Sequence, residues 1–271
     1  MRIEKPVYGR LTQGTIFTGA HAEEYVGKPT WGLCITARCD MAHQGKANVF
    51  NYLPIVTVDD WLTIDGARLL ADRLYSEIRS SAANLLKSAK KSISVLDSYD
   101  PNFIADNLLP GDVNFKKAAD KLETISRIRA LTPPSSSDVA TLANINSKCA
   151  ERLMKELWSQ QLSGYYYLKG VGESEHCCDT GYVILLREVH HLPYAASEQI
   201  ANGLLVDATN KLAHPFIKNC VFDFACPTGL VASPWIEHVM QQFSLLFSRI
   251  GLPDPNPSHL AALNERVSRG T

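Results

Sequence analysis

The chain has 271 residues, 45% of them hydrophobic, and a formal charge of −1 from 27 basic and 28 acidic side chains. That is enough apolar matter for one large core or two small ones. The balanced charge excludes a chain built as a whole to coat nucleic acid or an anionic membrane, and leaves only local patches for such partners.

The opening stretch, MRIEKPVYGRLTQG, holds no apolar leader core, and no apolar run nears the roughly 18 residues that span a bilayer. A cytoplasmic location without a membrane partner is therefore expected. Seven cysteines without framework spacing read as thiols, not disulfides.

In chain order, GTIFTG, WGLCITA and NVFNYLPIVTV are short β-branched or aromatic runs separated by Gly, Lys-Pro and Gln-Gly turn signals, so residues 1–60 are expected to be β. TWGLCITA is almost continuously apolar, the mark of a strand covered on both faces or the inner strand of a small barrel. From about Trp61 the period changes. Leu70, Leu74, Ile78, Ala82, Leu85, Ala89, Ile93 and Leu96 form one face of a helix on the order of 30 residues long. Asp100 before Pro101 reads as an N-cap with proline at the first helical position. Phe115, Ala118, Leu122, Ile125 and Ile128 keep the helical period until TPPSSSD stops it. Val139, Leu142, Ile145, Cys149, Leu153 and Leu157 mark one more helix, which ends near Gly164.

After Gly164, β character returns in YYYLKGV, GYVILLREVHHL and NCVFDFAC, with room for one short helix in AASEQIANGLLVDATNKLAHPF. Ser233 and Pro234 read as the N-cap and first residue of a final helix with the stripe Trp235, Val239, Met240, Phe243, Leu246, Phe247 and Ile250, stopped by Gly251 and Pro253. Small sheets are marginal alone, so the two β regions are expected to share one. The expected architecture is α+β: an SH3-like, partly open barrel from both ends of the chain, residues 1–60 and 164–252. A helical insertion spans 61–163, a C-terminal helix caps the barrel, and a flexible tail covers 253–271.

The candidate chemistry centres on GLCITARCDMAHQG, residues 32–45, which packs Arg38, Cys39, Asp40 and His43 into a strand exit. Cys39 and His43 have ligand-like spacing, and His176, Cys177 and Cys178 in EHCCD would complete a zinc site if the β regions meet, although neither half shows a paired motif. The competing reading makes Cys39 a small buried hydrophobe and Asp40 a turn residue, with no cofactor. His190 and His191 of REVHHL supply imidazoles for a cysteine nucleophile. A ribonuclease wants a cation and proton-moving groups. Arg38, Asp40 and His190 are the catalytic candidates for it, with Arg187 and Glu188 of the right type nearby.

For binding, the candidates are Arg38, Asp40, His43, Arg187, Glu237 and His238, the last two lying off the final helix's stripe with Gln241 and Gln242. Arg68, Arg73, Arg79, Lys87, Lys90 and Lys91 either face RNA or DNA phosphates or form a solvated face beside acids such as Glu77. The long apolar stripe calls for a helix partner, within the insertion or in a second copy.

LTQGTIFTG, WGLCITARCDMA and VFNYLPIV, between Leu11 and Val56, resemble the opening of the PemK-like toxin ribonucleases, which build an SH3-like barrel but lack a helical insertion of this length. Cys39 with Asp40, and the SPW-EH--QQF---F-RIGLPD pattern from Ser233 to Asp254, are similar to those of a group of bacterial proteins associated with mobile-element and phage-defence gene neighbourhoods. The resemblance implies a role in a conflict system and assigns no catalytic residue. The functional expectation is a non-catalytic binding or regulatory component of an antiviral defence or toxin-related system, taking a protein partner encoded nearby, or RNA or DNA. A toxin-like endoribonuclease is the alternative, and a zinc- or cysteine-dependent enzyme the third.

Overall fold

The computed structural model describes residues 3–39, 49–172, 179–206 and 221–247. The chain is mixed α+β: a curled antiparallel half-barrel sheet carries helices on its faces. Its strands in chain order are β1 (Ile3–Glu4), β2 (Thr15–Thr18), β3 (Trp31–Cys34), β4 (Val49–Thr57), β5 (Tyr165–Leu168), β6 (Tyr182–Leu185), β7 (His190–Pro193), β8 (Leu204–Leu205), β9 (Phe224–Ala225) and β10 (Pro227–Val231). The main sheet runs β1-β10-β2-β3-β4-β6-β5, with β7 also on β4, while β8 and β9 pair separately. Strands from both ends of the chain therefore share one sheet.

β3 and most of β4 are buried on both faces, which accounts for their unbroken apolar sequence. Along β6, Val183 and Leu185 enter the core under the helices, while Tyr182 and Ile184 enter the opposite core with Leu33, Leu53 and Ile55. β4 is nine residues long and pairs two strands on the same edge: β7 against Val49 to Tyr52, and β6 against Ile55 to Thr57. The expected single strand GYVILLREVHHL is thus two strands, and residues 186–189 bow out between them. β10 was illegible as a strand because Pro227 and Gly229 read as turn residues, yet it joins β1 to β2.

Thr57 ends β4 and caps α1 (Val58–Trp61) by accepting from the Asp60 amide. Helix continues through a π-helical turn, Leu62–Gly66, into α2 (Ala67–Ser88). The long helix stops at Ser88, short of the expected Leu96, because Lys90 adopts a left-handed φ of 57°. The short α3 (Val95–Ser98) and α4 (Pro101–Asn107) follow. Asp100 caps α4 by accepting from the Asn102 and Phe103 amides. Asp112 caps α5 (Val113–Arg129) in the same way.

The helix expected from Val139 to Leu157 is divided. Ser135 and Asp138 form a reciprocal capping box for α6 (Ser136–Ile145). Asn146 then turns extended, and its side chain caps α7 (Ser147–Trp158). α2 packs along α5, and its buried Ala82 and Leu86 meet Phe115, Ala119 and Leu122, so its stripe is covered within the chain.

α8 (Tyr194–Asn202) follows β7, and α9 (Trp235–Phe247) lies on the second face of the sheet. In α9, Ile236 and Val239 are buried and Trp235 is partly exposed, a rotation from the expected stripe. Ser233 donates its hydroxyl to the Glu237 carboxylate. The tail expected at 253–271 lies outside the described residues. No helix among the described residues is long and apolar enough to cross a membrane.

Candidate functional site

A cleft of about 570 Å³ opens where residues 186–189 bow away from β4, between the loop after β2 and the π-helical turn. Glu23, Glu24, Tyr25, Asp65, Gly164, Tyr165, Arg187, Glu188, His190 and His191 supply its polar and aromatic lining.

One wall is an imidazole-carboxylate cluster. The Glu188 carboxylate Oε1 lies 2.6 Å from His190 Nε2 and accepts from the Glu23 amide at 2.7 Å. An ionised carboxylate only accepts, so a proton on His190 Nε2 points at Glu188. The His190 ring stacks on buried Tyr52 at 5.5 Å and meets the His21 ring edge-on at 5.3 Å. The Tyr52 hydroxyl accepts from the His21 amide at 3.2 Å, which fixes the loop to the sheet. Burial, and then the neighbouring His190, hold the His21 imidazole below its ordinary pKa, against the opposing pull of Glu188 and Glu23.

The second wall is a carboxylate held by a buried phenol. A π-helical turn adds one residue to the repeat, a distortion frequent at functional sites. Here it lets Trp61 and Ile64 enter the core while Asp65 faces the cleft. Tyr25, itself buried, donates its hydroxyl to Asp65 Oδ2 at 2.7 Å, and Tyr165 lines the cleft beside them. Burial pushes the Asp65 carboxyl above its ordinary pKa, despite the Tyr25 hydrogen bond. It also pushes both phenols up, aided by the charge of Asp65. Arg68 pairs with Glu24 at the rim. Arg187 lies across Gly164, where a Cβ would sit 2.5 Å from its Nε, so that glycine makes the guanidinium's seat.

A raised carboxyl pKa means that the folded protein binds a proton more tightly than the unfolded chain. Ionisation of Asp65 therefore costs stability from about pH 3.9 upward, until its raised folded value is passed. Asp65→Asn removes that cost, so its stability relative to wild type is expected to rise from about pH 4 and to level off once the raised folded value is passed. Urea denaturation across that range measures it, and a pH-independent difference would contradict the assignment.

The residues singled out in the sequence are dispersed. Arg187, Glu188, His190 and His191 come together in the cleft. Arg38 is exposed and is not among the residues lining it. His238 is on α9, its Nδ1 2.9 Å from the Tyr166 hydroxyl, and Glu237 is exposed beside Ser233. Asp40, His43, His176, Cys177 and Cys178 lie outside the described residues. Cys39 is exposed, which corrects its reading as a buried hydrophobe; the buried thiol of this strand is Cys34, whose pKa burial pushes up to about 12. Among the described residues no three His, Cys, Asp or Glu side chains gather as a metal site. The basic residues of the long helix are largely paired with acids: Arg68 with Glu24, Arg73 with Glu156, and Arg79 with Asp97.

The chain matches no family model, no curated protein and no solved structure. Its functional reading rests on the cleft.

His21, Glu23, Tyr25, Asp65 and Tyr165 were missed in the sequence. HAEEY carries an imidazole, two carboxylates and a phenol in five positions after a glycine turn, a density that was available as a signal. Asp65 offered none, since an acid inside a helical repeat reads as solvent-facing.

Proposed function

We propose that this protein is a non-catalytic binding or regulatory component of a bacterial antiviral defence or toxin-related system, acting in the cytoplasm, and that its cleft takes a basic segment of a protein partner encoded nearby. The observation that carries the reading is the charge of the lining. With Glu24 matched by Arg68, the cleft still sets Glu23, Asp65 and Glu188 against the single guanidinium of Arg187. A phosphate backbone would meet like charge there. An arginine or lysine side chain would instead meet carboxylates with the rings of Tyr25 and Tyr165 beside them, a setting that favours cations. Reading the half-barrel as SH3-like, with 61–163 inserted to form one wall of the cleft, agrees with the PemK-like pattern of LTQGTIFTG and WGLCITARCDMA. Cys39 with Asp40 and the helix after Ser233 supply the link to conflict systems.

Titration of the full chain with a fluorescent arginine-rich peptide, and with single-stranded RNA of equal length, tests the proposal. Peptide binding that weakens as salt rises, with no RNA binding, is expected. RNA binding in preference to the peptide would overturn it.

A second reading, an endoribonuclease, is favoured by the placement of His190. A carboxylate orients that imidazole and a second imidazole faces it, which is the pairing that acid-base cleavage without a metal requires. RNA cleavage that persists with chelator and is lost in His190→Ala would establish it.

A further inference from the structure

The cleft holds both signs of charge, and they do not neutralise each other. Arg187 comes from the bowed segment after β6 and Asp65 from the π-helical turn. Both line the cavity, yet neither forms a salt bridge among the described residues. Tyr165 lies in the field of both. Burial, and then the charge of Asp65, push its phenol pKa up, and the charge of Arg187 opposes them. Opposite charges kept apart on one cavity are complementary to a ligand that carries an anion and a cation on neighbouring groups.

Arg187 is exposed, so a ligand can reach it, and its backbone is anchored. The Leu186 amide donates to the Gly164 carbonyl at 2.9 Å, which ties the preceding residue to the cleft lining. Gly164 has a left-handed φ of 94°, and a Cβ there would stand 2.5 Å from Arg187 Nε and 3.1 Å from its Cδ. A guanidinium presents a planar fork that matches a carboxylate with two parallel hydrogen bonds. The cleft volume of about 570 Å³ suits the end of a chain. It falls within the range of small-ligand pockets, roughly 300–1,000 Å³.

We propose that the cleft reads the C-terminus of its partner: Arg187 receives the terminal carboxylate, and the last side chain, an arginine or lysine, meets Asp65 and Glu188. The inference rests on the reading of the cleft as a site for a basic segment. The charge of the lining adds the residue before the last. Glu23, Asp65 and Glu188 outnumber the one guanidinium, so the complementary end is a carboxylate with two basic side chains.

The test titrates the full chain with an N-terminally labelled peptide ending in two arginines, as the free acid and as the C-terminal amide. An acidic cleft without a carboxylate receptor would prefer the amide, which is the more cationic form. The free acid is instead expected to bind at least tenfold tighter. Arg187→Ala should reverse that preference, and Arg187→Lys, which keeps the charge, should retain the preference for the acid. An amidated peptide extended by one aspartate, and free arginine as a competitor, should both be at least tenfold weaker than the free acid. An amide that binds as tightly as the acid would overturn the inference and leave the basic-segment reading standing. Equal weakening of both forms by Arg187→Ala would overturn it too, as would equal strength from the aspartate peptide or from free arginine. Binding of neither form would overturn both readings together.

Discussion

Replacing Trp61 with alanine is expected to cost about 3–5 kcal/mol of folding stability, the range for emptying a buried aromatic site. Trp61 is fully buried at the junction where strand becomes helix. Its indole meets the Tyr165 ring edge-on at 5.3 Å, and the helix backbone lies against it so closely that a Cβ at Gly66 would be 3.0 Å from Cζ3. The cavity has few ways to collapse, because Val56, Val183 and Leu185 on the sheet and Leu70 and Leu74 on α2 frame the same core. Trp61→Phe is expected to cost much less. The indole N–H is buried without a hydrogen-bond partner among the described residues, and phenylalanine removes that orphaned donor along with part of the volume. Urea denaturation followed by far-ultraviolet circular dichroism checks both. A Trp61→Ala cost below about 1 kcal/mol would show that the junction repacks freely. A Trp61→Phe cost equal to that of alanine would show that volume alone matters there.

Glu188→Ala is expected to weaken binding of the basic peptide by more than tenfold, which is at least about 1.4 kcal/mol. The substitution removes one carboxylate from the cleft and acts on two further groups. His190 loses the acceptor that fixes its Nε2 proton, and the Glu23 amide loses the carboxylate it donates to, which loosens the loop that carries Tyr25. The sign of the effect separates the two functional readings. For a cationic ligand, removing an acid lowers affinity. For RNA, the same removal lessens repulsion, so affinity should rise even as cleavage falls through misorientation of His190. Equilibrium titrations of wild type and Glu188→Ala with both ligands give the answer, and an unchanged peptide affinity would remove Glu188 from the binding surface.

Much of the architecture was legible locally. Asp100 before Pro101 is a capping signal whose energy comes from groups within one turn, and the chain obeys it; Ser135 with Asp138 carried the same kind of signal, but TPPSSSD was read only as a stop. TWGLC was readable as doubly covered because a strand buried on both faces has no polar alternation to show. The helix limits were less legible. The stripe through Ala89, Ile93 and Leu96 keeps its period beyond Ser88, yet the chain leaves the helix there, and its next apolar residues pack on α4 and α5 instead. Asn146 similarly divided a continuous pattern, because its side chain serves the following helix as a cap.

The cleft was the least legible feature. Glu23 and Glu188 are 165 residues apart and meet because β4 accepts β7 and β6 in succession on one edge. That pairing forces residues 186–189 outward and separates Arg187 and Glu188 from the strand in which REVHHL seemed to lie. The choice among Cys39, the two imidazoles and the acids was likewise beyond composition, since exposure decides it and exposure belongs to the packed chain. By itself, then, the sequence determined the α+β class, the β-α-β order and the helix start at Asp100, because these depend on periodicity and on hydrogen bonds spanning a few residues. Only the tertiary structure decided which polar groups face one another, because strand register and a single π-helical turn bring together Tyr25, Asp65, Tyr165 and His190 from separate parts of the chain.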